Sequence, residues 1–272
     1  MKSFIYSILA LSIVAATSTA AYAADSNQSA GWDFSLAVGS VSAPAYLGAD
    51  TQQLSAVPSF NINYADRFFA SISNAAGYNL INANGWRAGP IAKYDFGRLE
   101  NGDNPLLIGG DETTELMGLG DLDGAAEIGG FLEYTYQRVT GKIEARQAMG
   151  GHDGMIAEVA LNYNGSIQLL GKKAYYGIGP ELIFGDENYN SAYFGVTPSQ
   201  AASSGLSEYD AGTGLVSYGL DFSLFVPIDQ HVSVIGFAKY ARLAADAEKS
   251  SLVAERGSPD QALAGLLLSY SF

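Results

Sequence analysis

The side chains with the clearest potential for catalysis are two histidines. His152 is followed by Asp153 in a short connection, and His231 follows a predicted turn. A neighbouring His-Asp pair in a turn is typical of a solvated surface, and the sequence has no G-x-S-x-G serine elbow. Residues scattered over several strands could still form a membrane-embedded lipase or protease. We predict that the chain is not an enzyme and assign it no catalytic residue and no cofactor.

Acidic side chains raise the question of a metal site. The stretch Asp121-Leu122-Asp123-Gly124 resembles the start of a calcium loop, but Ala126 and Leu132 occupy the positions where an EF-hand needs Gly and Glu. Residues 98–122 and 186–212 are also acidic. They form either a solvated rim or carboxylates that divalent cations bridge to one another or to lipid headgroups. We therefore assign no metal ligand.

Charged residues also lie in the middle of predicted strands, where a packed core would leave costly unpaired charges. A polar lumen accommodates them, either as internal pairs that fill a narrow barrel or as the lining of a selective pore. Because the two signs are evenly mixed, the sequence favours internal pairing. The inward-facing bases are Arg87, Lys93, Lys142, Arg146, Lys173 and Lys239, and the acids are Asp95, Glu127, Glu133, Glu158, Glu181 and Asp221.

The elements that position these charges show a period of two. For example, Trp32, Phe34, Leu36 and Val38 alternate with small or polar residues. Eleven candidate strands have this pattern, and no segment is a convincing helix. The strands run to roughly 10 to 14 residues, the length that crosses a bilayer when tilted, and their apolar faces end in aromatic residues.

These patterns predict an all-β fold, an antiparallel transmembrane β-barrel of the bacterial outer membrane. Barrels of this kind have an even number of strands. Residues 67–82 contain a break at Ala75-Ala76-Gly77 and would hide two short strands. We predict about twelve strands, with ten as the alternative.

The start of the chain predicts export. A basic start, an apolar run and the small-x-small pattern of residues 21–23 indicate a cleaved signal peptide over 1–23, which leaves 24–272 as a single barrel domain. The chain has no cysteine and a net charge of −14. Such an acidic chain is a poor partner for nucleic acid, whose binding depends on Lys and Arg.

Connection lengths predict the topology. If Phe272 lies on the periplasmic side, long connections fall outside and short turns fall inside, as is usual in these barrels. The predicted outer connections are 98–122, 150–153, 186–212 and 244–259, and the predicted periplasmic turns are 138–141, 165–171 and 227–230.

The chain ends on an apolar, alternating strand. A terminal aromatic on such a strand resembles the signal by which the barrel-assembly machinery recognises its substrates. The expected assembly signal is Leu266, Leu268, Tyr270 and Phe272.

Six stretches of the sequence stand out beyond the strand pattern. They are "RFFASI" (67–72), "GYNL" (77–80), "YDFGR" (94–98), "MGLGDLDGAAEIGGFLEY" (117–134), "YNSAYFGVTPSQAASSGLSEYDAG" (189–212) and the terminal "LSYSF". Together they resemble the MipA/OmpV family of outer-membrane proteins. The resemblance implies an outer-membrane barrel in contact with lipid, in some members a scaffold between a lytic transglycosylase and a peptidoglycan synthase. It transfers no catalytic residue. A passive pore for small solutes and a surface adhesin or antigen are the alternatives.

Overall fold

The period-two alternation of the sequence extends into long, hydrogen-bonded strands. The computed structural model describes residues 31–72 and 75–272, so the predicted signal peptide 1–23 lies outside the described residues. The strands are β1 Trp32–Pro44, β2 Gln52–Tyr64, β3 Phe68–Ser71, β4 Ala75–Tyr78, β5 Ile81–Ala83, β6 Trp86–Asp95, β7 Leu107–Gly109, β8 Ala125–Tyr136, β9 Val139–Met149, β10 Met155–Leu169, β11 Lys172–Gly185, β12 Gly214–Pro227, β13 Val232–Leu243 and β14 Asp260–Ser271.

Twelve of these strands form a closed antiparallel ring. β1 pairs with β14, where Val38 lies opposite Leu268. On its other side β1 pairs with β2, where Trp32 lies opposite Tyr64. The short strands β5 and β7 pair only with β6 and β2, respectively, and stand outside the ring. The predicted barrel and its count of twelve are confirmed, and β3 and β4 are the two short strands expected within 67–82.

Ring closure gives the barrel two different ends. β1 starts and β14 finishes at the same end, together with the turns 65–67, 79–85, 137–138, 170–171 and 228–231. The opposite end has the described connections 45–51, 96–124, 150–154, 186–213 and 244–259. This grouping agrees with the prediction. Because long loops face outward in such barrels, we call the second end the outer end and the first the periplasmic end.

The outer wall is apolar. Val38 on β1, Ile143 on β9 and Leu268 on β14 are 60%, 54% and 54% exposed, respectively. Exposed aromatic residues mark both ends, as a bilayer requires. Those near the periplasmic end are Trp32, Tyr64, Tyr78, Trp86, Tyr134, Tyr136, Tyr163, Tyr270 and Phe272, and those near the outer end are Tyr94, Phe184, Tyr218 and Tyr240.

Part of the lumen is filled by phenylalanine rings. Phe69 meets Phe131 edge to face, with 5.7 Å between ring centroids, and Phe237 packs in a second apolar group with Val41 and Leu263. A Cβ on Gly265 would lie only 2.2 Å from the Phe237 ring. The glycine therefore makes room for an aromatic side chain that points inward.

Helices occur in the outer connections of the described chain, where the sequence showed no convincing helix. They are α1 Glu187–Phe194, α2 Pro198–Ser204, α3 Ala245–Lys249 and α4 Ser251–Arg256. At five to eight residues they are too short to show a helical period. One local signal was present, because Thr197 and Gln200 form a capping box around Pro198. Among the described residues, none of the helices has the length and hydropathy needed to cross a membrane.

If lipid surrounds the wall, a charge at mid-height should cost more than one at the rim. Replacing Ile143, at the middle of β9, with arginine should lower the free energy of unfolding by about 2–4 kcal/mol, and the matched Val139→Arg variant at the end of β9 by only about 0–1 kcal/mol. Urea titration of folding in lipid vesicles, followed by tryptophan fluorescence, measures both losses. Equal losses would contradict the depth assigned to these residues.

Candidate functional site

Arg146 on β9 is the centre of a buried group of charges in the lumen. Its Nε lies 2.7 Å from Glu127 Oε2 on β8, and one Nη lies 2.7 Å from Glu158 Oε1 on β10. Glu144, two residues before it, contacts the other Nη. The Arg146 side chain is only 1% exposed. Since burying an unpaired charge is costly, these contacts hold three adjacent strands in one arrangement.

Two lysines complete the charge balance of this group. Lys142 Nζ lies 2.6 Å from Glu144 Oε2, and Lys93 on β6 is near enough to Glu158 to offset its charge. The group therefore holds three carboxylates and three basic side chains. We call these six residues the lumenal charge network: Lys93, Glu127, Lys142, Glu144, Arg146 and Glu158.

A second buried group lies on the next strands around the ring. Lys239 on β13 pairs with Glu181 on β11, and its Nζ lies 3.8 Å from Asp221 Oδ1 on β12. Arg87 and Glu133, 3.2 Å apart, form a more exposed pair near the periplasmic end. Internal pairing, which the sequence favoured over a pore lining, is confirmed for these residues.

Two residues refine the sequence prediction. Lys173 lies on the same face of β11 as Glu181, but it is exposed at the periplasmic end of the strand, with its ammonium 5.1 Å from the centroid of the Tyr175 ring. Glu144 was missed. Its signal was present, because it alternates with Lys142 and Arg146 on the same face of β9.

The prediction that His152 belongs to the solvated surface is wrong. Its side chain is 1% exposed, Nε2 lies 3.1 Å from Glu127 Oε1, and Nδ1 accepts a hydrogen bond from the Gly154 amide at 3.1 Å. Asp153 is not its partner, because that carboxylate accepts from the Gly150 amide instead. His152 therefore ties the outer connection 150–154 to the lumenal charge network.

Asp95, Glu127 and His152 each offer a ligand atom, all within 4.8 Å of one another. The hydrogen bonds around them test whether a metal ion fits. Nδ1 of His152 accepts from an amide, so Nε2 carries the ring hydrogen and donates it to Glu127. Glu127 also binds Arg146, and Asp95 accepts the hydroxyl of Tyr193 at 2.7 Å. All three residues that could bind a metal ion therefore already make hydrogen bonds within the protein. Asp95, Glu127 and His152 fit a hydrogen-bonded cluster better than a metal site.

The outer end is covered by folded connections, which we call the cap: 45–51, 96–124, 150–154, 186–213 and 244–259. The cap contributes to an apolar core in which its residues Phe194, Ala247 and Val253 are at most 1% exposed. Burial raises the pKa of the Tyr193 phenol well above its ordinary value, and the Asp95 carboxylate raises it further. Tyr193 therefore stays protonated and donates to Asp95, which joins the cap to the wall.

Many acidic residues of the cap bind backbone amides. Glu100 accepts from Gly118 and Gly120, both at 3.1 Å, and Asp186 caps α1 by accepting from the Tyr189 amide at 2.9 Å. Such carboxylates shape the loops directly. Divalent cations that bridge other cap acids stay the alternative to a solvated rim.

The expected assembly signal lies on the outer face of the last strand. Leu266, Leu268, Tyr270 and Phe272 are 59%, 54%, 46% and 74% exposed, respectively, and point away from the lumen. Tyr270 stacks on His231, with 5.6 Å between ring centroids. Recognition of these residues by the assembly machinery stays a prediction.

Comparison with known proteins gives a family and a location. The family model described as MltA-interacting protein MipA matches residues 36–272. YiaT from Escherichia coli K12, which is named as an outer-membrane protein, is 25% identical to this chain over 109 residues. That match covers 40% of this chain and 42% of YiaT, so the chain spans less than half the length of this relative.

The solved structures that match this chain include the following three. CdiB from Acinetobacter baumannii is 8% identical, with a TM-score of 0.35, 89% of this chain covered and 60% of the other. Pseudomonas putida OprB is 13% identical, with a TM-score of 0.38 and coverages of 81% and 59%. Neisserial surface protein A is 10% identical, with a TM-score of 0.26 and coverages of 89% and 96%.

The lumenal charge network should be sensitive to the loss of its central base. Replacing Arg146 with methionine leaves buried carboxylates without a partner and should lower the free energy of unfolding by about 3–5 kcal/mol. The matched control Arg87→Met breaks a pair whose basic side chain is 35% exposed, and should cost only about 0–1 kcal/mol. Denaturant titration in detergent or lipid measures both. A small loss for Arg146→Met would show that the network does not stabilise the barrel.

Proposed function

This chain belongs to the MltA-interacting protein MipA family, and from that premise we propose that it is a non-conducting barrel that anchors peptidoglycan enzymes to the outer membrane. The anchored enzymes would be a lytic transglycosylase and a peptidoglycan synthase. The description of the family supports the first partner. The second comes from the family resemblance alone.

The observation that carries this proposal is the filled lumen. Charged pairs around Arg146 and Lys239 occupy part of the interior, and the rings of Phe131 and Phe237 occupy more of it. The cap covers the outer mouth with a packed apolar core. A solute would have to separate buried ion pairs to pass, which is costly. Such an interior suits an anchor better than a channel.

The docking surface would lie at the periplasmic end. There Arg138 donates to the Tyr163 hydroxyl at 3.3 Å, and Lys172 donates to the Ile228 carbonyl. In the turn 228–231, Asp229 accepts from the amides of His231 and Val232, and these hydrogen bonds lower its pKa. The turns are thus short and ordered and present basic side chains. Such a surface suits a partner with an acidic patch.

Reversing charge on the periplasmic turns should weaken the complex. The double variant Arg138→Glu with Lys172→Glu, in nanodiscs, should bind a purified lytic transglycosylase at least about tenfold more weakly than the unchanged barrel, because complementary charge is lost. Biolayer interferometry measures the affinity. The control Glu187→Lys with Glu208→Lys changes charge only in the cap and should bind normally. Failure of the unchanged barrel to bind either enzyme would overturn the anchor proposal.

Electrical recordings separate the anchor from a passive pore. The refolded barrel in planar bilayers should stay silent, whereas a general porin inserted under the same conditions provides the positive control. Stable ohmic steps from the unchanged chain would favour the pore. Binding to host-cell surfaces that depends on exposed cap residues would favour an adhesin or antigen.

A further inference from the structure

A small cavity lies where the cap meets the outer ends of β1 and β2. Its volume is about 60 Å³, several times the roughly 10–15 Å³ that one water molecule needs. The polar side chains that line it are Tyr46, Gln53, Ser55, Arg98, Asn104 and Tyr193. Among the described residues that line it, none is Asp or Glu.

Arg98 is held at this cavity by its backbone. Its amide and carbonyl both pair with Leu122, at 2.9 Å each. The preceding Gly97 has φ +68°, and a Cβ there would lie 2.0 Å from the Leu122 carbonyl oxygen. Asp95 Oδ1 accepts the Gly97 amide at 2.7 Å. The position of the arginine is therefore fixed before any ligand arrives.

The guanidinium of Arg98 is a buried charge without an acidic partner in the described part of the chain. The residue is 8% exposed, its Nε has no hydrogen-bond partner, and one Nη makes a long 3.5 Å contact with the Ala192 carbonyl. Asp95, three residues away, is engaged by Gly97 and Tyr193. Burial lowers the pKa of Arg98.

The cavity offers a second donor. Asn104 Nδ2 donates to Ser55 Oγ and to Gln53 Oε1, at 3.0 Å each. A hydroxyl that accepts one hydrogen bond still has its own hydrogen to donate. Ser55, which is 5% exposed, can therefore donate to a ligand that also meets the guanidinium.

We propose that this cavity is a binding site for a compact monovalent anion, a small carboxylate or a halide, held by Arg98 with help from Ser55. An anion would neutralise the Arg98 charge, which no acidic side chain of the described residues pairs with, and a guanidinium suits the two oxygens of a carboxylate. The volume limits the ligand to a few non-hydrogen atoms. The site lies between cap and wall, so its occupation would stabilise the closed form of the outer mouth.

Thermal unfolding of the detergent-solubilised barrel tests this site. At constant ionic strength, gluconate, which is too large for the cavity, is replaced stepwise by formate, acetate or chloride. The Tm of the unchanged protein should rise with the concentration of the small anion, because a ligand that binds only the folded state stabilises it. The Tm of the Arg98→Gln variant should not rise with the small anion. In gluconate this variant should be at least as stable as the unchanged protein, because the substitution removes an unpaired buried charge.

The matched control is Arg242→Gln, which removes a half-exposed arginine paired with Asp260 and Glu248 at the same end. This variant should keep the full response to small anions. An equal response in Arg98→Gln, or no response in the unchanged protein, would overturn the proposal. A rise in Tm with formate or acetate but not with chloride would assign the site to carboxylates. A rise with chloride alone would assign it to halides.

A second measurement needs no variant and is independent of folding. Crystals of the unchanged protein soaked in bromide or formate should show the anion beside the Arg98 guanidinium, which the anomalous signal of bromide identifies. Water alone at that position in both soaks would refute the anion site.

Discussion

The structure depends on one constraint, which is that backbone N–H and C=O groups in hydrocarbon must pair within the protein. β1 meets this constraint by pairing with β2 on one side and β14 on the other, so the sheet has no free edge within the ring. Closure then fixes the direction of every side chain. Side chains that point outward must be apolar, and the lumen must be filled either by side chains or by water.

In this chain the inward positions are filled, and charge does much of the filling. Arg146 meets carboxylates from β8, β9 and β10, and Lys239 meets carboxylates from β11 and β12. A buried pair of this kind adds little net stability compared with apolar packing, yet breaking it is costly. These pairs therefore favour one arrangement of neighbouring strands. They also occupy space that a transporter would leave open.

The sequence was sufficient for the features that depend on local alternation. Strand positions and the inward placement of Arg146 follow from a period of two, and so would Glu144. The count of twelve also needed the rule that such barrels have an even number of strands. Features that depend on distant contacts were not visible. His152 sits beside Asp153 in the sequence, yet its partner is Glu127 on another strand. The cap helices are short and stabilised by packing, and the isolation of Arg98 appears only once the cap is folded.

The cap and the lumenal charge network act as one hydrogen-bonded unit. Tyr193 in α1 donates to Asp95 at the end of β6, and His152 links the outer connection 150–154 to Glu127, which binds Arg146. Lifting the cap would expose these buried donors and acceptors together, and a buried polar network that loses one member leaves the others unsatisfied. Opening of the outer mouth would thus need several bonds to break at once. A barrel built in this way is suited to hold a fixed shape, which is the property that a membrane anchor for other proteins requires.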